Sequence, residues 1–377
     1  MEYPGLSGLP TELINFITGH SEVEDLLVLC RASRQIHAIC LGWLYRAITL
    51  KSPIQLVKWG KTVVSRPEAA DSVRELIIPF DPRDMMKSFY AVFGSAMKRL
   101  KNLQVLEICS PELLHTFPDT SFPRLSDCDI PVSVDIWPFL RSNPTITSLS
   151  ILALDLLMPR SDIETLPTQS IHMPKLRFFC GPGPVARKVV PGTVVSRLAI
   201  FWPNKPVMEF SRDLAAVASS KAGILHLTCT LCRWDPALWV SIAKHVPRIK
   251  FLEIHVVTSS TNGKEEFLHA FDDSLRSLPS LIALTIMSPA HPPIEAIDQY
   301  RETTFATIRR WGELSPKLMR IVLPIAAVKI TWLRAYGNTW VPRPKDCPEA
   351  MEAFNWLVQK ISTSPELVAE YRSSKGT

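Results

Sequence analysis

The chain has 377 residues, 46% apolar and 21% charged, a globular balance that excludes wholesale disorder and is too long for one small core. Its 32 prolines outnumber its 14 glycines, which points to short elements joined by rigid turns and argues against glycine-rich nucleotide-cradling folds. The net charge of +6 is uneven: residues 1–50 carry −2 and residues 170–250 carry +9, read either as a solvated face or as a surface for an acidic partner or nucleic acid. Eight cysteines without a framework spacing suggest free thiols and a cytoplasmic or nuclear location. The opening MEYPGLSGLP lacks the basic and apolar regions of a signal peptide, and no stretch approaches 18 apolar residues, so no membrane association is expected.

Residues 9–50 predict three short helices. The first starts at Thr11-Glu12, with Leu13, Ile14 and Ile17 at the spacing of a buried stripe, and Gly19-His20 ends it. Ser21 and Glu24 predict a capping box for the second, which would bury Leu26, Leu27 and Leu29. The third runs from about Ser33, with Ile36, Ile39, Cys40, Trp43 and Leu44 on its apolar side. Forty residues bury too little surface to be stable alone, so this segment needs a neighbour or a partner.

Three stretches in order, L-P-T-E-L-I-N-F-I (9–17), D-L-L-V-L-C-R-A-S-R-Q-I-H (25–37) and L-Y-R-A-I-T-L (44–50), resemble an F-box of the form common in fungal families. S-P-I-Q-L-V-K-W-G-K-T-V-V-S-R-P-E (52–68) is similar to the linking helix that often follows it. The resemblance implies docking on a Skp-type adaptor and, through it, on a cullin of an SCF-type ubiquitin ligase. The implied adaptor-facing residues are Leu9, Pro10, Leu13, Ile17, Leu26, Leu27 and Leu29. Thr18 stands where many members carry a large apolar residue. The alternative is a helical cap packed on the rest of the chain.

Beyond residue 72 an apolar-x-x-apolar-x-apolar pattern recurs, as in Leu103/Leu106/Ile108, Ile146/Leu149/Ile151, Ile249/Leu252/Ile254 and Leu281/Leu284/Ile286. Weaker copies centre on Phe179 and on Leu225/Leu227, and the centres lie about 27 residues apart on average. Alternation through the last three positions makes a short strand with one buried face. Amphipathic stretches such as 237–245 and 266–278 can pack behind the strands. Period and pattern resemble a degenerate leucine-rich repeat, although the asparagine that usually closes that motif is missing from most copies. Asn143, the only candidate glycosylation acceptor, is disqualified by Pro144. The competing architecture is an ordinary α/β sheet with helix-separated strands. Leu106, Ile108, Leu149, Ile151, Leu252, Ile254, Leu284 and Ile286 are expected to form one continuous core.

The predicted organisation is therefore α/β: a three-helix F-box over 1–50, a linking helix over 51–72 and an irregular repeat solenoid, a horseshoe, over 73–336. A proline-stiffened linker and a capping helix occupy 337–377. On such strands the residue before the central apolar position and those flanking the last one face outward on the concave side. This assigns Phe178, Arg197, Phe201, His226, Phe251, Glu253 and His255 to the binding of a protein target, acidic or phosphorylated, since aromatics with arginine anchor interfaces.

Catalytic chemistry is mostly missing. His226-x-x-Cys229-x-x-Cys232 has no second cluster to complete a zinc site, and a strand here would turn His226 and Cys229 to opposite faces. Gly181-Pro182-Gly183-Pro184 lacks the amide donors of a phosphate loop and predicts a tight turn. No catalytic residue, metal, cofactor or nucleic-acid partner is expected. The favoured reading is a non-enzymatic substrate adaptor; the alternative is a repeat scaffold or regulatory binder without ligase association.

Overall fold

Within each of two compact units, the recurring apolar triplets form short strands laid parallel in chain order. The computed structural model describes residues 9–82, 85–152, 170–202, 209–289, 297–325, 328–335, 338–344 and 347–373. Among them are thirteen strands and fifteen helices in two compact units: the described residues up to 152 with 170–176, and those from 177 onward.

The first unit opens with α1 (Thr11–Gly19), α2 (Val23–Leu29) and α3 (Arg34–Leu44). It continues through β1 (Ala47–Thr49), α4 (Pro53–Ser65), α5 (Pro67–Ser72), β2 (Glu75–Ile78), α6 (Lys87–Met97) and β3 (Val105–Ile108). Next come α7 (Pro111–Leu114), β4 (Asp127–Pro131), α8 (Ile136–Ser142) and β5 (Ser148–Leu152). Leu76, Leu106, Cys128 and Leu149 pair across β2–β5 as the repeat spacing predicts. The sheet starts earlier than that pattern, because Ile48 of β1 pairs with Leu76. The linking segment is two helices instead of one. Pro67 cannot donate the amide that would extend α4, and it starts α5.

Asn143 caps the C-terminal end of α8 and is 1% exposed. Its Oδ1 accepts from the Phe122 amide at 2.7 Å, while Nδ2 donates to the carbonyls of Thr120 (2.9 Å) and Phe139 (2.8 Å). One side chain thus satisfies three backbone groups around the Phe117, Phe122 and Phe139 ring cluster.

The second unit runs β6 (Phe178–Pro182), α9 (Gly183–Val189), β7 (Arg197–Trp202), α10 (Phe210–Val217), β8 (His226–Leu231) and α11 (Ala237–His245). It proceeds through β9 (Phe251–Val256), α12 (Lys264–Leu275), β10 (Ala283–Met287), α13 (Ile297–Leu314) and β11 (Arg320–Ile325). It closes with β12 (Val328–Arg334), β13 (Trp340–Pro342), α14 (Pro348–Thr363) and α15 (Pro365–Ser373). Strands β6–β11 are parallel, with Phe179, Leu198, Leu227, Leu252, Leu284 and Ile321 in one register. The central position of β8 is therefore Leu227, not Leu225. A two-residue difference keeps every side chain on its face, so the inward set is unchanged. The last two strands are antiparallel, which the repeat did not predict, and Pro342 ends a strand where a linker was expected. Helix α14 packs on β12 and β13 as a cap through Ala350, Ala353 and Leu357, whereas Met351 and Val358 stay exposed.

Of the eight expected core residues, Leu106, Ile108, Leu149 and Ile151 are buried in the first unit. Leu252, Ile254, Leu284 and Ile286 are buried in the second. Behind β8–β11 the helices meet through rings: Trp239 with Phe267 at 4.8 Å and Phe271 at 4.3 Å, and Phe271 with Trp311 at 4.9 Å.

Residues 181–184 form the junction where β6 passes straight into α9, instead of a tight turn. Gly183 is required there: a Cβ would collide with Asp213 Oδ2 and stand 2.5 Å from Trp202 Nε1. Asp213 is fully buried, accepts from Trp202 Nε1 at 3.0 Å and faces the Arg187 guanidinium at 3.4 Å. Burial pushes its carboxyl from the ordinary 3.8 up to about 6, against the opposing pull of Trp202 and Arg187. The folded chain thus holds this proton more tightly than the unfolded one. The stability it lends is full below about pH 4 and is lost as pH rises through about 6, amounting to about 3 kcal/mol. Asp213→Asn is expected to flatten this part of the stability–pH profile in urea melts between pH 4 and 7. An unchanged slope would show that the proton is held elsewhere.

Candidate functional site

Two surfaces present residue types that solvent alone does not favour. The first belongs to α1–α3, whose small core is Ile14, Leu26, Ile36 and Cys40, with Leu9, Leu29, Ile39 and Trp43 packed at its margin. The expected buried stripe on α1 is corrected: Ile14 is buried, while Leu13 and Ile17 are exposed. The same holds on α2, where Leu26 is buried and Leu27 exposed. Each helix has too few neighbours to cover more than one side.

The capping box is also absent. Glu22, not Ser21, holds the N-cap of α2 without a side-chain bond, and Ser21 Oγ donates to the Ile17 carbonyl at 2.9 Å. Ser33 does cap α3, accepting from the Ile36 amide. Thr18 is buried, its hydroxyl donating to the Ile14 carbonyl at 2.9 Å, so it is satisfied inside its own helix. Trp43 Nε1 donates to Asn15 Oδ1 at 2.9 Å, and a Cβ on Gly19 would meet the Trp43 ring at 2.8 Å. This contact fixes α3 against α1.

Of the residues assigned to an adaptor, Pro10, Leu13, Ile17 and Leu27 are exposed, Leu9 and Leu29 half-buried, and Leu26 is core. Phe16, Val23 and Val28 lie outside the residues that the sequence assigns to an adaptor. Together with Leu13, Ile17 and Leu27 they are 40–68% exposed and make six of the sixteen large apolar side chains exposed among the described residues. Such crowding within sixteen positions makes this face a candidate contact surface.

The second surface is the outward face of β6–β9. Register places Phe178, Arg197, His226 and Phe251 in a single row. The Arg197 guanidinium lies 5.8 Å from the Phe178 ring centre, and the His226 and Phe251 rings stack at 4.2 Å, 16° from parallel. Phe201 and His255 occupy a different row, with Thr230 between them. Glu253 lies along β9 beside His255, with 3.7 Å between Oε2 and Nε2. All seven assigned residues are exposed or half-buried on this face. Burial lowers the pKa of His226, as do Arg197 and Lys250, while Glu253 opposes them. Lys250, just before β9, and Arg320, joined to the row through Ala283, were not singled out from sequence.

Cys229 is buried beneath β8 while His226 is exposed, so the two cannot share a metal. No cluster of His, Cys, Asp or Glu suited to a metal occurs among the described residues. No helix among them is long and apolar enough to cross a membrane.

No family model matches the sequence, and no curated protein does. Among solved structures, the chain is similar to the leucine-rich repeat-containing protein LegL7 from Legionella pneumophila, at 13% identity and a TM-score of 0.41. The match covers 82% of this chain and 88% of that one.

Proposed function

We propose that this chain is a non-enzymatic receptor of an SCF-type ubiquitin ligase, cytoplasmic or nuclear. In this reading α1–α3 dock a Skp-type adaptor, which ties the chain to a cullin, and the face of β6–β9 holds a protein target. The observation that carries it is the exposure of Leu13, Phe16, Ile17, Val23, Leu27 and Val28 on a segment whose L-P, D-L-L and L-Y-R stretches resemble an F-box. A helical segment with so small a core gains stability by laying such side chains on a partner. The chain itself makes and breaks no bonds. It keeps a target lysine beside a charged conjugating enzyme, and the gain is one of effective concentration.

The full chain, purified from native cells, is expected to bring down a Skp-type adaptor and a cullin. Leu13→Ala with Leu27→Ala should remove both proteins, since each desolvated leucine contributes about 2–4 kcal/mol at such a contact. Both positions are exposed, so folding is expected to survive. Unchanged adaptor capture by this variant would end the ligase reading and leave a repeat scaffold in its place.

A further inference from the structure

The Phe178–Arg197–His226–Phe251 row allows the target's chemistry to be named, an inference that rests on the proposed function only for calling the ligand a target. We propose that the row binds an extended acidic segment in which one carboxylate side chain is flanked, two positions to each side, by large apolar side chains.

The spacing follows from sheet geometry. Neighbouring strands lie about 4.8 Å apart, so the four columns from β6 to β9 span about 14 Å. An extended chain crossing them presents every second side chain to the sheet, about 6.8 Å apart, so three such side chains also span about 14 Å. With the first over Phe178 and the third over Phe251, the middle one falls between Arg197 and His226. Its surroundings are cationic. Arg197 and Lys250 are exposed and have no acidic partner among the described residues, and both act on His226.

The outer positions meet phenyl rings whose partners are already arranged: Arg197 against Phe178 and His226 stacked on Phe251. Little side-chain freedom remains to be lost there on binding. A single negative charge suits the middle position better than two. Glu253 is close enough to act on His226, so the second charge of a phosphate would face a carboxylate.

The test uses the purified full chain and fluorescein-labelled nine-residue peptides, read by anisotropy. The reference peptide carries Phe at two positions four apart with Glu midway, and serine elsewhere. It is expected to bind at least tenfold more tightly than versions with Gln for Glu or with Glu moved by one position. Arg197→Glu and Phe251→Ala should each weaken it at least tenfold, and a peptide with Lys for Glu should regain binding to Arg197→Glu. Thermal melting checks that both variants fold. Equal binding of the Gln or shifted peptide, or unchanged binding by Arg197→Glu, overturns the site. Phosphoserine binding tenfold more tightly than Glu overturns the assignment to a carboxylate. Adaptor capture is scored separately on the same variants: its retention with the peptide pattern lost confines the failure to this site. Its absence in the unaltered chain with the pattern intact overturns only the ligase reading.

Discussion

Asn143→Ala is expected to destabilise the first unit by about 2–6 kcal/mol, since two buried backbone groups lose their partner at once and each unsatisfied group costs about 1–3 kcal/mol. The Phe122 amide and the Phe139 carbonyl are buried with a side chain that is 1% exposed, so solvent cannot replace it there without opening the loop, whereas the Thr120 carbonyl is half-buried and adds less. A domain holds only about 5–15 kcal/mol in total, so the variant sits near the threshold of folding. Asn143→Asp separates the contributions. It can still accept from Phe122 but can donate to neither carbonyl, and it adds a buried charge, so it should fare no better than alanine. Urea melts followed by Trp59 and Trp137 fluorescence, with hydrogen exchange at the Phe122 amide, measure both effects. A loss below about 1 kcal/mol, with the amide still protected, would mean that another group fills the role.

Trp239→Ala should cost the second unit about 3–5 kcal/mol, the range for truncating a large buried aromatic. Trp239 is fully buried on α11 and joins two rings of α12, Phe267 and Phe271, the second of which passes the contact to Trp311 of α13. The cavity would open between helices held mainly by these rings. Its Nε1 also donates to the Phe267 carbonyl at 2.8 Å. Trp239→Phe removes that bond and part of the bulk, and its expected cost is about 1–2 kcal/mol. If alanine and phenylalanine cost the same, the hydrogen bond outweighs the packing and the ring-stacking account is wrong.

The amphipathic stretch 237–245 already announced α11, but nothing in it marks Trp239 as a junction between three helices. The outward placement of the seven residues assigned to a target is legible for a related reason. Side chains alternate along a strand, so Arg197 and His226 could be assigned outward from the burial of Leu198 and Leu227 alone. That Phe178, Arg197, His226 and Phe251 share one row was not legible, because it depends on the register of four strands, set by pairing between distant segments. Asn143 shows the opposite failure. In sequence it was a disqualified glycosylation acceptor, and only the return of residues 120–122 beside α8 makes it a threefold cap.

The sequence by itself determined the alternation of short strands with helices and the inward face of each strand from β2 to β11. It also marked a leucine-rich helical opening too small to bury its own apolar side chains. These follow from local period and composition, which act within a few residues. Tertiary structure decided that Ile14 and Leu26 are core while Leu13 and Leu27 face solvent, that β8 centres on Leu227, and that β12 and β13 reverse direction. It also decided that Gly183 must lack a side chain beside Asp213 and Trp202. The physical reason is common to all of them: whether an apolar side chain is buried, or a glycine is required, depends on what packs against it. That neighbour belongs to another element of the chain, beyond the reach of any local pattern.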